Sequence, residues 1–222
     1  MRYLIRIADD ALESLALAAI EAYCLGDGQG SDFEPVETFG YLWGHRKLCP
    51  DLTTIFVAKA SVSISARRCD SYVVPHPRAL LLKDNFVARW SPQFAFLGEF
   101  HSHPFDDVAA VRLARGFESS EQDIDSFVGD CPLWARSDNN PLMLVVTVCR
   151  LAHVRASWCS QPRGNVFSFS VGEFRFWLNA TVGFVSENGD RYCTENRRSA
   201  AAFDLNSRYF NPQSDHIYDF AR

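Results

Sequence analysis

No C-x-x-C pair occurs in the 222 residues, although the chain has seven cysteines, Cys24, Cys49, Cys69, Cys131, Cys149, Cys159 and Cys193. The odd count leaves one unpaired in any fully oxidised scheme, so a reducing, cytoplasmic compartment is expected. Basic residues are also short. Lys and Arg number 22 against 27 Asp and Glu, for a formal net charge of -5 and a pI near 5.7. A grip on nucleic acid or on an anionic membrane needs a concentrated basic face, and neither partner is expected. No run approaches the roughly 20 apolar residues of a membrane span. The stretch from Met1 to Ile7, interrupted by Arg2 and Arg6, is too brief for a signal peptide, so a soluble protein is expected. Internal repeats and low-complexity tracts are absent as well.

What the chain does have is apolar material, 47% of its residues, ample for the buried core of one domain. Asp9 or Asp10 can cap a helix running to Leu25, with Leu12, Leu15, Ala19, Ile20 and Tyr23 at helical spacing and Gly26 placed to end it. Gly26 to Pro35 is rich in turn formers and predicts a connector. Strands are expected at Val36–Trp43 and Thr53–Ile64, both rich in β-branched and aromatic residues. Pro77 suits the first turn of a helix that continues to Trp90, where Ser91-Pro92 stops it. Phe94 to Phe100 is an apolar run of the kind found in a buried central strand. Phe105 to Glu118 predicts a loop or short helix, Ser120 to Val128 a helix and Leu142 to Cys149 a strand. Further strands are expected at His153–Ser160, Val166–Val171 and Phe174–Val185, with a polar tail from Glu187.

The chemistry-bearing residues follow the buried strand. His101 and His103 lie two apart on extended backbone, so their rings share a side, and Glu99 shares it with them while Ser102 points away. Pro104 is expected to end ladder pairing and turn the chain outward. Asp123, three residues after Ser120, opens a helix and can supply a third ligand. Two imidazoles and one carboxylate leave the fourth position of a zinc ion open, which is the arrangement of a catalytic rather than a structural site. Ser120-x-x-Asp123 is equally an ordinary helix-start signature. A capping hydroxyl nevertheless stands where helix dipoles favour developing negative charge. Glu37 is a candidate general base, and Glu99 is a candidate partner orienting an imidazole or a member of an ordinary salt bridge.

In order and residue type, Glu37-Thr38-x-Gly40-x-Leu42-x-Gly44, Gly98-Glu99-x-His101-Ser102-His103-Pro104 and Ser120-x-x-Asp123 together resemble the JAMM motif of the MPN (Mov34/MPN/PAD-1) zinc metalloproteases. The similarity spans about residues 36 to 125. The stretch between Pro104 and Ser119 is longer than is usual there, which leaves Asp106, Asp107 and Asp125 as competing ligands. The resemblance implies a single α/β domain, MPN-like and thus cytidine-deaminase-like, with a mixed curved sheet flanked by helices. It implies Zn2+ held by His101, His103 and Asp123, Glu37 as base and Ser120 as oxyanion donor. The activity it implies is isopeptide hydrolysis after the tail of a ubiquitin-like protein, by a free-standing deubiquitinase-like enzyme of bacterial type. Trimming of a sulfur-carrier-like precursor or of another small amide is an alternative. An inactive scaffold that assembles partners is another.

Overall fold

The computed structural model describes residues 2–26, 34–68, 72–154, 158–196, 200–205, 207 and 209–210. Most of the expected connector after Gly26 lies outside them. The chain opens with β1 (Arg2–Ile7), α1 (Asp9–Leu25), β2 (Phe39–Leu48) and β3 (Leu52–Val62). A short antiparallel pair, β4 (Arg67–Arg68) and β5 (Val73–Val74), leads to α2 (Ala79–Trp90) and the long β6 (Ala95–Phe105). Three helices follow, α3 (Val108–Ala114), α4 (Glu121–Gly129) and α5 (Cys131–Arg136), and then β7 (Leu142–Arg150). The remainder is strand: β8 (Cys159–Arg163), β9 (Val166–Val171), β10 (Phe174–Val185), β11 (Arg191–Cys193) and β12 (Ala201–Phe203).

This architecture overturns the expected α/β domain with a curved, helix-flanked MPN-like sheet. The fold is mostly β, with 42% strand and 28% helix among the described residues, and a ten-stranded sheet that closes nearly into a barrel. Strand order is β12-β1-β3-β2-β6-β7-β10-β9-β8, with β11 paired to β10. Two segments make the difference. The opening stretch set aside as too brief for a signal is β1, which runs parallel to both β3 and β12. The segment expected to be a polar tail supplies β11 and β12. Closure comes where β12 reaches the β8–β9 turn, as Phe203 N–H donates to the Gly164 carbonyl at 2.8 Å and Gln161 Nε2 donates to the Phe203 carbonyl at 3.1 Å. Of the strand expected at His153–Ser160, residues 155–157 lie outside the described residues, and β8 starts at Cys159.

The sheet has two apolar faces because its strands alternate. One packs Leu42, Phe100, Leu144, Val146, Val148, Phe176 and Leu178 with Leu12, Leu15 and Ala19 of α1. The other packs Phe39, Tyr41, Trp43, Phe96 and Met143 against Leu80 and Val87 of α2, Phe127 of α4, and Leu133 and Trp134 of α5. The metal-ligand candidates sit on this second face.

A bulge decides which face they take. Pairing of β2 with β6 runs Leu42 opposite Gly98 and then Trp43 opposite Phe96, so Leu97 is the extra residue. Phe96 belongs to the second face, yet Phe100 belongs to the first, which simple alternation would forbid. The one-residue slip inverts every later side chain, and so it turns Glu99, His101 and His103 away from the α1 core. Gly98 permits it: its φ is 153°, and a Cβ there would lie 1.8 Å from the Leu142 carbonyl oxygen. Backbone strain and overpacking together make Gly98→Ala cost about 3 kcal/mol or more. Urea unfolding of the variant checks this.

Candidate metal centre

The histidines are set by strand pairing on both sides of β6. His101 lies opposite Phe39 of β2 and Val145 of β7, and His103 lies beside Thr147. Pro104 was expected to end the ladder, but pairing with β7 continues through Pro104 opposite Val148 to Phe105 opposite Cys149. The Ser102 N–H donates to the Thr38 carbonyl at 3.0 Å on the β2 side. By alternation the Pro104 nitrogen faces that same side, beyond the last β2 pair, where no ladder donor is required.

Asp123 arrives from α4. Ser120 is the N-cap, its Oγ accepting from the Asp123 N–H at 3.1 Å, while Asp123 Oδ2 accepts from the Ser120 N–H at 2.7 Å. This reciprocal box fixes the carboxylate at the helix start. Nε2 of His101 and Nε2 of His103 are 3.1 Å apart. The Asp123 carboxylate presents Oδ1 to His101 at 3.5 Å and Oδ2 to His103 at 3.4 Å. These three residues can hold a metal ion: one ligand atom from each lies within 4.8 Å of the others. Of the competing acids, Asp107 instead caps α3 by accepting from the Ala110 N–H at 2.8 Å, and neither Asp106 nor Asp125 belongs to the group.

The spacing fits a tetrahedral ion. Donors about 2.0–2.1 Å from zinc at the tetrahedral angle stand about 3.3 Å apart, close to the 3.1 Å between the imidazole nitrogens and to the approach of one carboxylate oxygen to each ring. The tautomer fits as well. His103 Nδ1 lies 3.1 Å from the Gly116 carbonyl, which can only accept, so Nδ1 carries the proton and Nε2 keeps its lone pair. His101 Nε2 lies 3.1 Å from that nitrogen, a separation that needs a proton or a cation between the two. Thr147 Oγ1 donates to the same Gly116 carbonyl at 2.8 Å and holds it in place. The long segment between Pro104 and Ser119 therefore folds into α3 and returns with the carbonyl that orients a ligand. Phe117, next to it, packs with Val111 and Trp177.

Electrostatics tie the three residues together even without an ion: burial opposes it, but the hydrogen bond and charge of Asp123 raise His103, so a proton there competes with a metal. Burial alone would raise the Asp123 pKa, but hydrogen bonds and charge from the two imidazoles hold it well below the usual carboxylate range. Burial lowers His101, and its neighbour His103 adds to the effect. Glu99 is pushed up to about 8 by burial and by the charges of Asp130 and Asp123.

All of these residues line one cleft of about 730 Å³, together with Glu37, Ser119, Ser120 and Asp130. Glu37 stands just ahead of β2 and is 8% exposed. Its neighbour Thr38 is pinned twice to Ser102, since the Thr38 N–H also donates to Ser102 Oγ at 2.9 Å. Ser102 thus points away from the cleft, as expected. Glu99 lines the cleft, but among the described residues no hydrogen bond joins it to an imidazole. Ser119, Gly116, Thr147 and Asp130 carried no sequence signal for this site. Ser119 Oγ is buried and has no hydrogen-bond partner among the described residues.

Ser120→Ala is expected to cost about 1 kcal/mol of stability through the lost cap. It also loosens Asp123, weakening metal binding roughly 10- to 100-fold, as measured by competition with a chelating dye.

No protein-family model matches this sequence, and neither does any curated protein. Among solved structures, it is similar to protein DSY2949 from Desulfitobacterium hafniense, determined in solution. Identity is 15%, covering 91% of this chain and 93% of that chain, with a TM-score of 0.44. The chain covers nearly the whole of that protein. Among the described residues no helix is long and apolar enough to cross a membrane.

Proposed function

We propose that this protein is a zinc-dependent hydrolase of amide bonds, of the JAMM type in its chemistry, acting after the C-terminal tail of a ubiquitin-like protein. One observation carries the proposal: Glu37, Ser120 and the His101–His103–Asp123 group, far apart in sequence, converge on one cleft. Two imidazoles and a carboxylate form an open donor set, which favours zinc at a catalytic position. The bound ion supplies Lewis acidity, bringing the pKa of water from 15.7 to about 7.

Glu37 takes the proton of the attacking water and later delivers it to the leaving amine. Its burial beside the ligands keeps competing solvent away from that transfer. Ser120 Oγ spends a lone pair on the Asp123 N–H and keeps its hydroxyl proton to donate to the oxyanion, a contact worth roughly 3 kcal/mol. Asp123 holds the ligand position, and Gly116 holds the His103 tautomer. Tyr72, Val73 and Val74, at the short strand β5, line the same cleft and offer an extended tail a strand to lie against.

Incubation with ubiquitin-like fusions, with and without a chelator, tests the proposal. Chelator-sensitive cleavage at the end of the tail is expected. A zinc-to-protein ratio near zero in carefully purified protein overturns it and favours a scaffold.

A further inference from the structure

Gly116 lines the metal cleft, but Phe117 beside it lines a second cavity, of about 920 Å³, and no residue lines both. Three arginines line this second cavity, Arg112 of α3, Arg150 of β7 and Arg175 of β10, against one acid, Asp107. Three charges less one leave +2 on the wall with His153 neutral, in a chain whose net charge is -5. Counting Glu173, which pairs with Arg150 at 3.3 Å from outside the lining, the balance is still positive. Arg112 is exposed on α3, with no acid in salt-bridge reach among the described residues. Arg175 is fixed. Its Nη1 donates to Ser170 Oγ and its Nη2 to Ser168 Oγ, both at 3.0 Å, and its guanidinium lies 3.6 Å over the Trp158 ring. Both serines are buried, and Ser160 Oγ braces Ser168 Oγ at 3.0 Å.

We propose that this cavity binds a small phosphate monoester carried on a flat ring, an aryl phosphate or a nucleoside monophosphate. A guanidinium already held by two serines and a ring presents a planar donor fork with little further ordering, and such forks suit phosphate oxygens. A carboxylate is satisfied by one fork. A phosphoryl group brings three acceptor oxygens and close to two negative charges, enough to engage Arg175 together with Arg112 and Arg150. The ring follows from the rest of the wall. Trp158, 49% exposed, lines the cavity with Trp177, Phe117 and Leu151, and the volume is of the size that holds a whole small ligand. An aromatic body stacks on such residues or packs against them edge-on. The site stands apart from the hydrolase function proposed above and holds or fails without it.

Calorimetric titration of the full chain tests the site, after chelator treatment so that no phosphate binds an ion in the metal cleft. The probes are phenyl phosphate, AMP, adenosine and inorganic phosphate. One or both of the esters should bind saturably, about tenfold or more tightly than inorganic phosphate or adenosine. Whichever ester binds more tightly decides between a simple aryl and a nucleoside phosphate. Arg112→Gln changes an exposed residue outside the metal cleft and should weaken ester binding about tenfold, as for loss of a charged hydrogen bond. Arg175→Lys keeps the charge, loses the fork and should weaken it at least as much. In NMR spectra the indole N–H signals of Trp158 and Trp177 should shift on binding, while the backbone signals of His101 and Asp123 stay in place. Weakening in either variant, with shifts at the two indoles, supports the site. Absence of saturable ester binding at millimolar concentration overturns it, as does unchanged affinity in both variants. Inorganic phosphate that binds as tightly as the esters reduces the cavity to an adventitious ion only, and shifts confined to the metal cleft overturn the assignment as well.

Discussion

Replacing Glu37 with Gln should lower cleavage roughly 100- to 10,000-fold, the usual contribution of a positioned base, while metal content and stability stay at wild-type levels. The substitution keeps shape and hydrogen-bonding capacity and removes only the ability to hold a proton. The surroundings make it a clean test. Glu37 is buried ahead of β2, and the Thr38–Ser102 pair of hydrogen bonds fixes the backbone beside it whatever the side chain. Single-turnover cleavage beside a zinc assay is the measurement. Cleavage at the wild-type rate removes Glu37 from the mechanism.

His103→Ala should abolish stoichiometric metal binding and cleavage together. Loss of an outer hydrogen bond to a ligand costs about 10- to 100-fold in affinity, and loss of the ligand itself costs more. Asp123→Asn sharpens the test, because the acid has two duties. Its side chain accepts from the Ser120 N–H in the capping box and offers a charged oxygen to the imidazoles. Asparagine retains an oxygen for the cap and loses the charge. The variant should therefore unfold at nearly the wild-type urea concentration yet bind zinc far more weakly. Tight zinc binding by Asp123→Asn would point to another third ligand.

The site was more legible in the sequence than the fold that carries it. Ser120-x-x-Asp123 is a local pattern, and the helix it predicts has its cap where expected. α1 likewise ends at Gly26, although its N-cap is Ala8 and the expected caps Asp9 and Asp10 fall in its first turn, and the bounds of β10, Phe174–Val185, match the expected strand. Local patterns write themselves into neighbouring residues. Closure of the sheet does not: β12 is three residues long, and its partners lie at Tyr3–Ile5 and at Gly164. Nothing in Ala201–Phe203 announces those contacts, and in place of the expected mixed curved sheet flanked by helices the strands close nearly into a barrel. The bulge at Leu97 is hidden for a related reason, since β6 reads as one apolar run on either phase. Gly116 was invisible because it acts through its carbonyl, which every residue has.

The seam between the ends of the chain has a consequence for how the molecule is made. β1 is hydrogen-bonded to β12, and Arg6 forms an ion pair with Asp204 at 2.6 Å, so the first strand finds one of its two neighbours only when residue 204 is available. During synthesis at roughly 5–20 residues per second, β1 waits on the order of ten seconds or more with one edge unpaired. Pairing across such a sequence separation is slow even in the finished chain. The ribosome-bound protein should therefore present an open strand edge that the mature barrel conceals, and it is at this stage that a chaperone has the most to protect.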